Sequence, residues 1–302
     1  MTRSERPVRF GLVADGYHRF TADSSRQPDG ARLAAEAREA EQLGFELYGL
    51  SDHLHGQRPT FDPWTALTWA AAVTTDLVVV TDVLGLPYRH PAVLAKMTES
   101  LDRLSGGRFV LGIGNGGYDA EFEAFGLPVR PARDKVDALD EALRIMRALW
   151  GETPATVPGT HYAVSSAQLS PRPARQPAVW IGGYGPRSLT TVGRLADGWL
   201  PSYARLGPED ARTAINRIRD VAAEAGRDPR SLTFATNITL SPPVLTGPID
   251  AMVDELRAVV ELGFDTLMIA GLHTTDARRW FAGQIAPRLR RPAQPNSALR
   301  NR

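Results

Sequence analysis

The chain has 302 residues, 43% hydrophobic and 23% charged, with a formal net charge of +1 and no cysteine. That is enough apolar material for a large core. The charge balance gives no electrostatic reason for nucleic acid or an anionic membrane as partner, and the missing thiols exclude disulfides, thiolate metal sites and a cysteine nucleophile. The polar stretch Met1 to Arg9 and the absence of an apolar run of about 20 residues lead to the expectation of a cytoplasmic protein.

In chain order, the first predicted strand is Val8 to Val13, ending at Ala14-Asp15-Gly16 and followed by a polar loop to Gly30. Ala31 to Leu43 repeats Leu33, Ala37 and Ala40 on one face, which predicts a helix stopping at Gly44. Phe45 to Leu50 is the second strand, closed by Ser51-Asp52-His53. Asp62-Pro63 reads as an N-cap and N1 pair opening a helix to Thr74. Leu77 to Val83 is a β-branched third strand, with a helix from Pro91 to Leu104 after it. Ser105-Gly106-Gly107 stops that helix, and Arg108 to Ile113 is the fourth strand, bounded by glycine on both sides.

Arg133 to Trp150 predicts a long amphipathic helix. Gly151 to Gln176 is rich in Pro, Ser and Gly without a period and reads as an excursion holding a small hairpin. Ala178 to Ile181, Gly198 to Pro201, Leu232 to Leu240 and Asp265 to Ala270 are the remaining strands, interleaved with helices from Gly185-Pro186 to Ala196, Pro208 to Ala225, Pro248 to Leu262 and Thr275 to Leu289. Eight apolar strands alternating with eight helices predict a (β/α)8 barrel, with an open doubly wound sheet as the alternative. A single domain is expected over residues 1–291, with the excursion between its fourth helix and fifth strand. The polar tail 292–302 is expected to be disordered.

In a barrel the site gathers at the C-terminal ends of the strands. Those ends carry Asp15, Tyr17 and His18; Asp52, His53 and His55; Asp82, Val83 and Leu84; and Gly114, Asn115, Gly116, Gly117 and Tyr118. The later strands add Gly182, Gly183 and Gly185, then Ser202, Asn237 and His273. Gly182-Gly183-Tyr184-Gly185-Pro186 opens a helix with free N–H groups, a setting for a phosphate or merely a tight turn. Gly112-x-Gly114-x-x-Gly117 matches the dinucleotide fingerprint in form only. No long helix follows, and no acidic residue stands about 20 positions on. His53-x-His55 lacks the further ligands a metal centre needs, so no metal is expected. His53 is a candidate acid or base, or a histidine merely fixed by Asp52. Asp82 is a costly residue for an apolar strand unless it faces a pocket. Trp64 is a packing residue or a pocket wall.

These stretches in combination resemble the bacterial luciferase-like monooxygenase superfamily, in its F420-dependent oxidoreductase branch. The resemblance runs from Val8 to Leu289. It is carried by Leu43-Gly44-Phe45 with Ser51-Asp52-His53-Leu54, by Pro87 to Lys96, by Leu101 to Gly117, by Glu121 to Gly126, by Leu169 to Pro173, and by Trp180 to Arg187 with Ala196 to Trp199.

It implies a TIM barrel binding coenzyme F420, or alternatively FMN, and a small-molecule substrate. The ring would lie against a bulge with a non-prolyl cis peptide among Asp82, Val83 and Leu84. Asp52 and His53 would line ring and substrate as catalytic residues, with His53 moving a proton helped by Asp52. Gly114, Asn115, Gly116 and Tyr118 would border the cofactor's middle, and Gly182, Gly183 and Gly185 its phosphate. Asp15, Tyr17, His18 and Trp64 would surround the substrate. Some sugar-phosphate dehydrogenases of the branch carry acidic residues after strands one and four. Here those loops offer Asp15 and Asn115 to Tyr118, which speaks against a sugar phosphate. A homodimer is implied, and the activity is hydride transfer, an FMN monooxygenase using O2, or cofactor binding without turnover.

Overall fold

The computed structural model describes residues 7–14, 30–54, 61–151, 154–240 and 248–290. Strands β1 (Arg9–Val13), β2 (Leu47–Leu50), β3 (Val78–Thr81), β4 (Leu84–Gly85) and β5 (Phe109–Gly114) come first. A hairpin of β6 (Ala155–Val157) and β7 (Val164–Ala167) follows, then β8 (Ala178–Gly182), β9 (Gly198–Trp199), β10 (Thr233–Thr239) and β11 (Thr266–Ala270).

Apart from the antiparallel β6–β7 hairpin, all pairings are parallel. The order β3-β2-β1-β11-β10-β9-β8-β5 closes through β3–β5. Counting β3 and β4 as one interrupted strand, eight parallel strands make a (β/α)8 barrel. The hairpin forms where the excursion was expected. It is held to its neighbouring helix by Glu141, whose carboxylate accepts from the N–H groups of Thr160, His161 and Tyr162 at 2.8, 2.8 and 2.9 Å.

Two cores result. Inside the barrel, Leu47, Val80, Val110, Trp180, Leu200, Ala235 and Met268 form an apolar plug. Met268 is seated where Gly11 and Gly49 carry no side chain: a Cβ at Gly11 would lie 2.2 Å from its sulfur. Outside, a larger apolar layer joins the strands to the helices.

Those helices are α1 (Gly30–Gln42), α2 (Pro63–Ala72), α3 (Pro91–Leu104), α4 (Asp119–Ala124), α5 (Ala132–Leu149), α6 (Pro186–Leu195), α7 (Pro208–Glu224), α8 (Ile249–Leu262), α9 (Thr275–Trp280) and α10 (Ala286–Arg290). Asp62 caps α2 as expected, accepting from Thr65 N–H at 2.8 Å. Gly263 ends α8 with φ 118°. The expected single helix over Thr275 to Leu289 is instead interrupted by a π-helical turn, Phe281–Ile285. The wider turn buries Phe281 against Phe10 and Phe45, at centroid distances of 5.5 and 5.8 Å. Among the described residues no helix is long and apolar enough to cross a membrane.

Candidate active site

The register of β3 and β4 on β5 places the first feature of the site. Val80 pairs with Val110 and Leu84 with Ile113, so four steps on one strand match three on the other. The surplus residue bulges at the barrel mouth, and within the bulge the Asp82–Val83 peptide is cis. Val83 turns its methyl groups onto glycines. A Cβ at Gly114 would lie 3.1 Å from Val83 Cγ2, one at Gly182 3.0 Å, and one at Gly112 3.3 Å from Cγ1. Asp82 is 6% exposed, and its Oδ1 accepts a hydrogen bond from Asn237 Nδ2 across the barrel at 3.1 Å. With so little polar support, burial pushes this carboxyl up to about 6.

The loop after β2 supplies two residues with separate partners. Asp52 Oδ2 accepts from Gly85 N–H at 3.0 Å and from Arg89 Nη1 at 2.8 Å. The same guanidinium reaches Asp62 Oδ2 at 2.6 Å, tying the mouth to the cap of α2. Asp52 Oδ1 is buried and has no hydrogen-bond partner among the described residues. Burial raises the Asp52 carboxyl against the opposing pull of Arg89. His53 turns instead to α4, where its Nδ1 lies 3.0 Å from the buried Glu121 Oε2. Its ring stands edge-on to Tyr118 at 5.5 Å. Asp52 and His53, adjacent in sequence, thus face different partners: His53 lies against Glu121 and Asp52 against Arg89.

The opposite wall is backbone. The turn Gly182 to Gly185 leads into α6, whose N-terminus has no side-chain cap. Trp199 Nε1 donates to Gly183 O at 2.8 Å and fixes the turn. A Cβ at Gly185 would meet nothing within 4 Å, so that side is open. Ser202 N–H donates to the Tyr184 hydroxyl at 2.9 Å, and the Arg205 guanidinium lies over the Tyr184 ring at 6.0 Å.

These walls enclose a cleft of about 540 Å³. Its lining includes Asp52, His53, Asp82, Val83, Leu84, Gly114, Asn115, Gly116, Tyr118, Gly182, Gly183 and Gly185. Trp64 does not line it. Its ring meets Phe109 edge-on at 5.2 Å in the layer between α2 and the barrel, so packing accounts for it. Asp15, Tyr17, His18 and His55 lie outside the described residues.

The glycines after β5 are also less bare than their sequence suggests. Val83 fills the space over Gly114, and Phe122 with Pro87 the space over Gly116; only Gly117 of that cluster looks onto open volume. Sequence reasoning did not single out Glu121, Phe122, Ser188 or Arg205, which also line the cleft. The stretch Glu121 to Gly126 helps carry the family resemblance, but nothing in it marks Glu121 as a partner of His53. Among the described residues no group of His, Asp and Glu is placed to hold a metal. The arrangement offers a cleft with a buried acceptor, an imidazole–carboxylate pair and a helix N-terminus without a side-chain cap, suited to an anionic ligand and one proton transfer.

The family profile described as luciferase-like monooxygenase matches residues 8–243. Among curated proteins, the chain is 29% identical over 255 residues to a phthiodiolone/phenolphthiodiolone dimycocerosates ketoreductase of Mycobacterium tuberculosis, covering 76% of this chain and 64% of the relative. It is 31% identical over 228 residues to an F420-dependent glucose-6-phosphate dehydrogenase of Microbacterium testaceum, covering 73% and 64%. The chain thus spans less than two thirds of these relatives' length. Among solved structures, an F420-dependent secondary alcohol dehydrogenase in complex with an F420-acetone adduct superposes with a TM-score of 0.79 at 18% identity, over 94% of this chain and 99% of that one. A long-chain alkane monooxygenase gives 0.78 at 15%, over 96% and 92%. At such identities the likeness is one of fold.

Proposed function

The chain belongs to the luciferase-like monooxygenase family, and on that premise we propose that it is an F420-dependent oxidoreductase acting on a small organic alcohol or carbonyl compound. One observation carries the reading. A single cleft joins the buried, unbonded Asp52 Oδ1 and the His53–Glu121 pair to the open turn at α6. An orphaned buried acceptor calls for a ligand N–H or O–H, and the uncapped turn suits a phosphate. The residues present therefore fit a deazaflavin. The F420-dependent relative above 30% identity supports that ring over FMN.

Bound there, a deazaflavin supplies hydride chemistry. The protein's part is to hold and to protonate. Asp52, fixed by Arg89, accepts a ligand hydrogen bond. Gly182, Gly183 and Gly185 offer N–H groups to the phosphate. Asn115 and Tyr118 border the ligand's middle. His53, oriented by Glu121, gives a proton to the substrate oxygen or takes one from it.

We also propose a cytoplasmic homodimer, supported by the exposed apolar residues Trp69 of α2 and Val93 and Leu104 of α3. Light scattering on the purified protein checks the dimer. The cofactor is tested by fluorescence titration with F420 and with FMN, followed by an anaerobic hydride-transfer assay. F420 is expected to bind more tightly than FMN by roughly tenfold or more. Tighter binding of FMN moves the reading to a flavin monooxygenase, and binding of neither removes it.

A further inference from the structure

Two of the carboxylates lining the cleft have a basic side chain beside them, and the one at its floor does not. Asp52 has Arg89 and Glu121 has His53. Arg205 lies over the Tyr184 ring. Among the described residues no cation pairs with Asp82. Its single hydrogen bond takes Oδ1 to Asn237, and Oδ2 accepts nothing from the described residues, although the residue is 6% exposed and lines the cleft. The groups around it come from four elements: Asn237 of β10, Tyr184 after β8, Gly49 of β2, where a Cβ would lie 3.4 Å from Asp82 Cβ, and Met268 of β11, packed against Gly49. Burial raises the phenol of Tyr184, the ionisable group among them, so it stays neutral. A carboxylate held over an apolar plug acts on its surroundings far more strongly than one in water.

We propose that this uncompensated Asp82 carboxylate biases the bound ring toward giving up hydride, so that the site works as a carbonyl reductase rather than an alcohol oxidase. The inference rests on reading the cleft as the cofactor site. A hydride arriving on the ring brings negative charge, which a neighbouring carboxylate disfavours. The reduced ring then binds more weakly than the oxidised one, and by linkage the bound couple becomes the stronger reductant.

In that direction a hydride passes from the ring carbon to the carbonyl carbon. The C=O π pair moves to oxygen, and the oxygen takes a proton from His53. The substrate gains two electrons and the ring loses two. Reduced cofactor must then be supplied by a separate F420-reducing dehydrogenase.

The test compares the full chain with Asp82→Asn, titrating each with oxidised F420 and, under anaerobic conditions, with reduced F420. At pH 8 the wild-type protein is expected to favour the oxidised ring by roughly tenfold more than the variant does, equivalent to about 30 mV for a two-electron couple. Equal ratios in the two proteins overturn the proposal and leave the F420 assignment standing. Lowering the pH from 8 to 5 protonates a carboxyl raised to about 6, so the wild-type ratio should move toward that of the variant. A difference that does not change with pH also overturns it. Should Asp82→Asn fail to fold, Asn237→Ala serves instead: it removes the one hydrogen bond that favours the ionised form, so the pH midpoint should rise, and an unmoved midpoint counts against the proposal. If FMN binds in place of F420, the same ratio is read with oxidised and reduced FMN, and binding of neither ring overturns both readings.

Discussion

The two walls of the cleft are built on opposite principles. The wall above β2 to β5 is made of side chains that ionise: Asp52, His53, Asp82, Arg89 and Glu121, each set by a partner on another element. The wall above β8 is made of main chain: Gly182, Gly183 and Gly185 ahead of α6, with no charged side chain in the turn. The first can move protons and respond to pH. The second can hold an anion by fixed dipoles that titrate nowhere in the working range. On the proposed function, binding and chemistry fall to different materials, and the two can be perturbed separately.

The harshest way to break the contrast is to unpair the charged wall. Arg89→Met leaves Asp52 and Asp62 without their shared cation. A loss of about 3 kcal/mol or more in urea unfolding is expected at neutral pH. Because the Asp52 carboxyl is already raised by burial, losing Arg89 raises it further, and the deficit should shrink as pH falls and the group is protonated.

Next is to charge the neutral wall. Gly183→Asp introduces a Cβ 3.0 Å from Ser188 Cβ and an anion at the α6 N-terminus. Cofactor affinity should drop roughly 100-fold or more, about 2.7 kcal/mol, in a fluorescence titration; an unchanged Kd would remove the phosphate from that turn.

His53→Ala tests the division itself. Turnover should fall roughly 10²-fold while the cofactor Kd stays within about threefold, as expected when only proton transfer is lost. A parallel loss of binding would mean the walls are not separable.

The smallest expected effect concerns stability. The Asp82 carboxyl is raised in the folded protein to about 6 from 3.8, so folding is favoured by its protonation and the ionised form costs stability above that range. Asp82→Asn should stabilise the protein by on the order of 2 kcal/mol at pH 7. The gain should fade as pH drops through 6 and vanish below about 4, and thermal melts over that series check it.

The same contrast explains what could be read in the sequence. The glycine wall was legible because its signals are local: Gly-Gly-x-Gly-Pro declares a strand end and a helix start in five residues. So was α3, which spans Pro91–Leu104 as expected, because Pro fixes one end and Ser105-Gly106-Gly107 the other. The charged wall was legible only in part. Asp52 and His53 stand out at a strand end, but their partners lie 37 and 68 residues away. Adjacency in sequence suggested that one served the other, and tertiary packing gave each its own partner. Trp64 was open between packing and pocket for a related reason: a helix start near the mouth does not say which way a side chain turns, and the ring meets Phe109. The glycines from Gly114 to Gly116 look bare in the sequence because the residues over them, Val83, Pro87 and Phe122, come from elsewhere in the chain.

The Val83 contact makes cleft depth a one-position variable. Two glycines, Gly114 and Gly182, leave room for the Val83 side chain, while Gly112 lies bare chiefly because the Thr81 carbonyl crosses it. Shortening Val83 to Ala would deepen the cleft at that point, since the glycines beneath it carry no side chain to take its place. A lineage adapting this barrel to a thicker ligand has a single codon to adjust, whereas restoring a side chain at any of the glycines would force the floor to be rebuilt.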